Sequence, residues 1–225
     1  MDTKLLEALK QELKGIFGSV YEYGGGYGYR YQHGVRVMIY CQKIAQFPRF
    51  KNEKINLEAL LTAALFHDIG KIVAVDKDGL LVYGDYGDKS HEIGGSEIAP
   101  KYLKKYISDQ KLIDLICLII KEQDRNVANT RIESSIIKDA DRLDHQGVTH
   151  IWCSVTYANY QKKNVEAFEE FWKSDEGQVK FESSLNRYNF PEVAQIARKR
   201  LAKLKEFTQL MFSEQVGEDI VVDDQ

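Results

Sequence analysis

Apolar residues recur at three- and four-residue intervals along most of this chain, a spacing that restricts it to helices packed against one another. Leu5, Leu6, Leu9, Leu13 and Phe17 form a first stripe. Val37, Tyr40, Cys41 and Ile44 form a second, ending near Pro48. Leu57, Leu60, Leu61, Ala64 and Leu65 form a third, with Asn56 as its cap and Gly70 at its end. Further helices are expected over about residues 91–106, 109–122, 133–147 and 148–172. A last one begins at Asn189-Phe190-Pro191-Glu192, where Asn caps and Pro suits the first turn, and runs to about Phe212. Two stretches break the pattern. Tyr21 to Tyr31, containing Gly24-Gly25-Gly26, reads as a loop. Residues 71–90, with glycines and aspartates around the apolar run Leu80 to Tyr83, read as an irregular loop whose alternation is too brief to assign strands. The expectation is an all-α helical bundle in one domain over 1–212, followed by a loose acidic tail, 213–225.

A chain of 225 residues is long enough for one sizeable core. With 44% hydrophobic and 29% charged residues it has the balance of an ordinary globular protein. Its net charge of −3 gives no general attraction to nucleic acid or anionic membranes, so any phosphate must be held by a few placed cations, which favours small anionic ligands. Cys41, Cys117 and Cys153 lie far apart in apolar surroundings without CxxC spacing and read as reduced core residues. The first seventeen residues are amphipathic rather than a signal peptide, and the strongest apolar run, Ile113 to Ile120, is interrupted by Asp114 and too short to span a membrane. The expected compartment is the cytoplasm.

Against this helical background four polar side chains fall on apolar faces. His33 shares its face with Val37, Tyr40 and Ile44; His67 and Asp68 follow the Leu60-Leu61-Ala64-Leu65 stripe; Asp141 follows Ile137 at i+4. Asp144 follows Ala140 at i+4 and lies on or beside the same stripe, whereas Asp139 points elsewhere. Taken singly, an inward histidine is a hydrogen-bonded core residue, and Asp141 is a buried partner of Arg142 or Arg36. Taken together, one divalent ion held by two imidazoles and two carboxylates accounts for all four, and this ligand set suits Mn, Fe, Co, Ni or Mg better than structural Zn.

The segments RYQHGVRV, AALFHDIGK, SHEIGGSEIA and IIKDADRLDHQGV, in that order across about residues 30–150, resemble the HD-domain superfamily of metal-dependent phosphohydrolases, and most closely its small stand-alone branch. The resemblance implies an all-helical fold with His33, His67, Asp68 and Asp141 as ligands of one metal ion, and the remaining helices, 151–212, following the motif core. His91 matches the place of a further histidine that some relatives use for a second metal. Gln123 stands where another would be expected, which argues for one metal; His91 reads equally as a helix-capping or phosphate-contacting residue.

Such a site implies hydrolysis of a phosphoester or phosphoanhydride in a small phosphorylated molecule, a nucleotide above all, by a metal-activated water. Arg30, Lys71 and Arg142 are the candidate phosphate-binding cations, each with the alternative of a surface charge or a salt bridge to Asp139 or Asp144. For proton transfer Asp144, His91, Asp76 and Asp78 are candidates beside Asp68 itself. The tyrosine-rich segment before His33 reads either as a stacking platform for a base or as a plain loop over the core. Trp152, Tyr157, Tyr160, Phe168, Phe171 and Trp172 read as helix core or a subunit interface, which leaves a homodimer open. The rival readings are a cyclic-nucleotide or oligonucleotide phosphodiesterase, a non-catalytic nucleotide-binding module stabilised by metal, and a purely structural ion.

Overall fold

The computed structural model describes residues 2–84 and 86–220, so Asp85 and the end of the acidic tail, 221–225, lie outside the described residues. Two compact units emerge, Met1–Asp144 and His145–Gln225. Among the described residues the only sheet is a two-stranded one, and the fold is all-α as expected.

The first unit is built around a helix that is apolar on every side. Its α1 spans Thr3–Phe17, α2 Tyr29–Ile44, α3 Leu57–Phe66, α4 His91–Leu103, α5 Gln110–Lys121 and α6 Ile132–Asp144. Every residue of α3 from Ala59 to Phe66 is buried, which places it at the centre, against α1, α2, α5 and α6. The Asn56 side chain caps it, accepting the Ala59 amide at 3.0 Å. α2 crosses α3 closely because Gly34 has no side chain: a Cβ there would lie 2.7 Å from the Leu65 carbonyl oxygen.

After α3 the chain tightens into a 3-10 helix, Ile69–Ala74. The α-helix therefore ends at Phe66 rather than Gly70, and His67 and Asp68 occupy the junction, where the change of backbone course points them to different sides. The 3-10 turn packs against α4, and Gly70 lets the backbones meet: its Cβ would sit 1.9 Å from the His91 carbonyl oxygen and 2.6 Å from the Gly95 nitrogen. Gly70→Ala should therefore destabilise the protein by about 1–3 kcal/mol and shift the start of α4. A urea melt within about 0.3 kcal/mol of wild type would contradict this packing.

The glycine-tyrosine stretch is more ordered than a loop. Tyr21–Glu22 (β1) pairs antiparallel with Gly26–Tyr27 (β2), and Gly24 and Gly26 take the positive φ that this reversal requires. The segment after the HD doublet adds bridges Tyr21 to Leu80 and Val75 to Leu81, so it pairs with the hairpin rather than standing apart.

In the second unit, α7 spans His150–Tyr160, α8 Val165–Lys173, α9 Asp175–Ser184 and α10 Pro191–Gln215. The single helix expected over 148–172 is split. Lys162 adopts φ 57°, and Asn164 caps a new helix by accepting the Ala167 amide at 3.1 Å. α9 had no apolar stripe to announce it and starts at the Ser174 cap. Phe190, not Asn189, holds the cap position of α10, and this helix takes in residues 213–215 of the expected tail. Phe168, Trp172, Leu204 and Phe212 form the core of this unit, whereas Trp152, Tyr157 and Tyr160 are exposed, so only part of the aromatic series is core. None of the three cysteines forms a disulfide among the described residues, and of the three Cys41 alone is fully buried. No described helix is long and apolar enough to cross a membrane.

Candidate metal centre

Three helices of the first unit converge on one cluster of donor atoms. α2 supplies His33, the end of α3 supplies His67 and Asp68, and α6 supplies Asp141 and Asp144. The Nε2 atoms of His33 and His67 lie 3.2 Å apart. Asp68 Oδ2 is 3.5 Å from each of them, and Asp141 Oδ1 is 3.1 Å from His33 Nε2 and 3.7 Å from that of His67. His33, His67 and Asp68 are buried; the Asp141 side chain is 38% exposed and forms the open side.

The opposite edge of each imidazole fixes what the cluster can do. His67 Nδ1 donates to the Ala64 carbonyl oxygen at 2.8 Å, and His33 Nδ1 donates to Asp144 Oδ2 at 2.8 Å. With both protons placed there, the neutral rings turn Nε2 lone pairs toward one another and toward two carboxylate oxygens. Four acceptors facing inward repel unless a cation lies among them. An ion with bonds of about 2.1 Å keeps its ligand atoms about 3.0 to 3.4 Å apart, close to the separations seen. The residues therefore fit a divalent ion, and His33, His67 and Asp68 can hold one.

The electrostatics agree. Burial by itself would lower the His67 pKa, but Asp68 and Asp141 outweigh it and raise it, so positive charge is favoured at that place. Burial would raise the Asp68 carboxyl, yet Lys71, His67 and Arg30 bring it well below the usual carboxylate range. Asp141 is likewise lowered against its burial, by His33 and His67. Asp144 is lowered against its burial by His33 and by Arg36, whose Nε and Nη2 donate to it at 2.7 and 2.8 Å.

The expected phosphate cations take three different positions. Lys71 Nζ is 3.0 Å from Asp68 Oδ2 at the edge of the cluster. Arg30 is buried rather than offered to a ligand: it donates through Nε to Glu22 Oε2 at 3.0 Å, through Nη2 to Glu22 Oε1 and through Nη1 to Asp68 Oδ2. Arg142 leans on Asp139 at 3.4 Å. Asp139 is fully buried although it does not join the donor cluster, so α6 is enclosed on more than its apolar stripe.

The proton-transfer candidates also separate. His91 Nε2 lies 3.2 Å from Asp68 Oδ1, and its Nδ1 lies 3.3 Å from Glu92 Oε2. Asp144 is a support behind His33 rather than a group at the open face, because both its oxygens are engaged by His33 and Arg36. Asp76 and Asp78 are exposed on a turn, where Asp76 Oδ1 accepts the amides of Asp78 and Leu80, each at 2.9 Å. Gln123 donates to the carbonyl oxygens of Ile119 and Ser134, at 2.9 and 3.4 Å, a structural use of the position. Glu22 escaped the sequence reading altogether, since its place in a glycine-rich segment carries no periodicity.

The family model for the HD domain matches residues 30–146, a span that takes in every residue of the cluster. A search of the curated proteins finds no match. Among solved structures, a predicted HD superfamily hydrolase from an uncultured Thermotogales bacterium is 19% identical, with a TM-score of 0.55 over 94% of this chain and 91% of its own. Bacillus subtilis YpgQ is 18% identical, with a TM-score of 0.59 over 96% of this chain and 94% of its own. The same protein in complex with ADP gives a TM-score of 0.57 at 19% identity, over 99% and 98%.

Proposed function

The chain belongs to the HD-domain family, and from that premise we propose that it is a metal-dependent phosphohydrolase of a small phosphorylated molecule, with nucleotides as the substrate class. The observation that carries the reading is the inward convergence of two imidazole lone pairs and two carboxylate oxygens, with Lys71 at the rim. His33, His67, Asp68 and Asp141 would hold the ion. When bound, a divalent ion supplies Lewis acidity toward a phosphoryl oxygen and makes water a nucleophile near neutral pH. The nucleotide class is supported by the complex of YpgQ with ADP, a protein that shares this fold.

The protein's own groups divide the remaining work. Asp144 and the Ala64 carbonyl oxygen fix the tautomers and orientation of His33 and His67. Lys71, partly exposed beside Asp68, meets the phosphate. His91 lies between Asp68 and Glu92, so its ring can pass a proton from the reacting side toward Glu92. Removal of the Lys71 charge by Lys71→Met should lower kcat/KM about 10- to 100-fold, the worth of one charge-assisted hydrogen bond, with metal content retained.

Metal analysis of the purified protein followed by a substrate panel tests the proposal. Nucleoside mono-, di- and triphosphates are compared with cyclic and linear diesters in Mn, Co or Ni. Phosphate or pyrophosphate release from the nucleotides supports it. Cleavage of diesters alone would replace it with a phosphodiesterase, and tight retention of intact ADP without product would replace it with a binding module.

A further inference from the structure

A buried ion cluster behind the metal centre bears on how Asp68 is aimed. Glu22 and Arg30 are both almost fully buried, Glu22 on β1 and Arg30 on the first turn of α2. The guanidinium grips Glu22 with two nitrogens and Asp68 with a third. Tyr83 closes the cluster from the segment after the HD doublet: its hydroxyl donates to Glu22 and accepts from Arg30 Nη2 at 3.2 Å. Backbone pairing holds the same two segments together, with the Tyr21 amide donating to the Gly79 carbonyl oxygen at 2.8 Å and the Leu81 amide to that of Tyr21 at 2.9 Å.

The demand on Asp68 Oδ2 makes this cluster more than packing. That one oxygen faces both imidazole Nε2 atoms, receives Arg30, and lies 3.0 Å from Lys71 Nζ. A carboxylate oxygen offers about two lone-pair directions, so an ion, Arg30 and Lys71 cannot all be served by it. Arg30 has a second carboxylate in Glu22, whereas Lys71 sits at the rim with Asp68 as its acceptor.

We propose that Glu22 and Arg30 are positioning residues for Asp68: Glu22 shares the guanidinium, so that Arg30 steadies the carboxylate without drawing Oδ2 away from the imidazole nitrogens. Lys71 is then the cation that leaves Asp68 for the substrate. The inference rests on the reading of Asp68 as a metal ligand, and the experiment separates the two. Without Glu22 the full charge of a buried arginine falls on Asp68 and competes with the ion. Removing Arg30 as well lifts that competition, which a purely structural role would not do.

The test is titration of metal-stripped protein with Mn2+, free ion being followed by electron paramagnetic resonance and folding by circular dichroism. Wild type should bind and Asp68→Asn should not. Glu22→Gln should weaken binding by about 10- to 100-fold, the range typical of supports behind metal ligands, and Glu22→Gln/Arg30→Met should regain part of the loss without reaching wild type, because the competing charge is gone but so is the guanidinium that steadies Asp68. Should Glu22→Gln fail to fold, Glu22→Asp keeps the charge, withdraws it by one methylene, and should show a smaller loss of the same sign. Binding by Asp68→Asn equal to wild type overturns the metal-site reading and this inference with it. If Asp68→Asn loses the ion while the folded Glu22 variant binds within about twofold of wild type, or the double variant is no better than the single, the positioning role alone is overturned.

Discussion

Asp68→Asn should yield folded protein that neither retains a divalent ion nor hydrolyses phosphorylated substrates, with activity down at least about 1,000-fold. Asparagine matches aspartate in shape, and its oxygen still accepts from Arg30, so the hairpin and the 3-10 turn keep their anchor. What disappears is one of the charges that bring Oδ2 to the imidazole pair and that raise the His67 pKa. The Lys71 charge, no longer offset by Asp68, then repels an incoming cation. Metal analysis, phosphate release and circular dichroism on the same preparation distinguish this from simple unfolding. Full activity in a metal-free Asp68→Asn protein would sink the proposed chemistry.

How much of this was legible in the sequence depended on whether a residue sat within a periodic segment. Helical spacing ties His33, His67, Asp68 and Asp141 each to an apolar stripe, and in the structure donor atoms of the first three lie together while Asp141 Oδ1 stands 3.1 and 3.7 Å from the two imidazole Nε2 atoms. The same reasoning failed where burial comes from tertiary packing. Asp139 lies off the apolar stripe, so its spacing gives no sign of burial, yet α6 is enclosed deeply enough to bury it beside Arg142. Arg30 stands three residues before His33 and so shares its helix face, but its partner Glu22 lies eight residues earlier in a hairpin that glycine permits and periodicity does not reveal. The spacing of Asp144 puts it on or beside the apolar stripe, but direction alone cannot tell a group that meets substrate from one that braces a histidine. α9 escaped because its polar residues carry no stripe, and only its serine cap marks it.

Arg30→Met should be the most destabilising single change near the site, by about 3–5 kcal/mol, although methionine nearly fills the same volume. Desolvation on its own would favour a neutral guanidinium, yet Asp68 and Glu22 raise its pKa, so Arg30 stays charged and serves as counter-ion to two buried carboxylates at once. Among the described residues, its loss leaves Glu22 with only the Tyr83 hydroxyl, and Asp68 with Lys71 and His91. A buried carboxylate without a cation either stays charged at high desolvation cost or takes up a proton, and both weaken the native state at neutral pH. Adding Glu22→Gln should restore at least about half of the lost stability, because the unpaired charge is then gone and the amide can still accept from Tyr83. Urea melts of wild type, Arg30→Met and the double variant measure both quantities. A single variant within about 1 kcal/mol of wild type would mean that water reaches the cluster and that Glu22 is solvated, contrary to the burial on which its role depends.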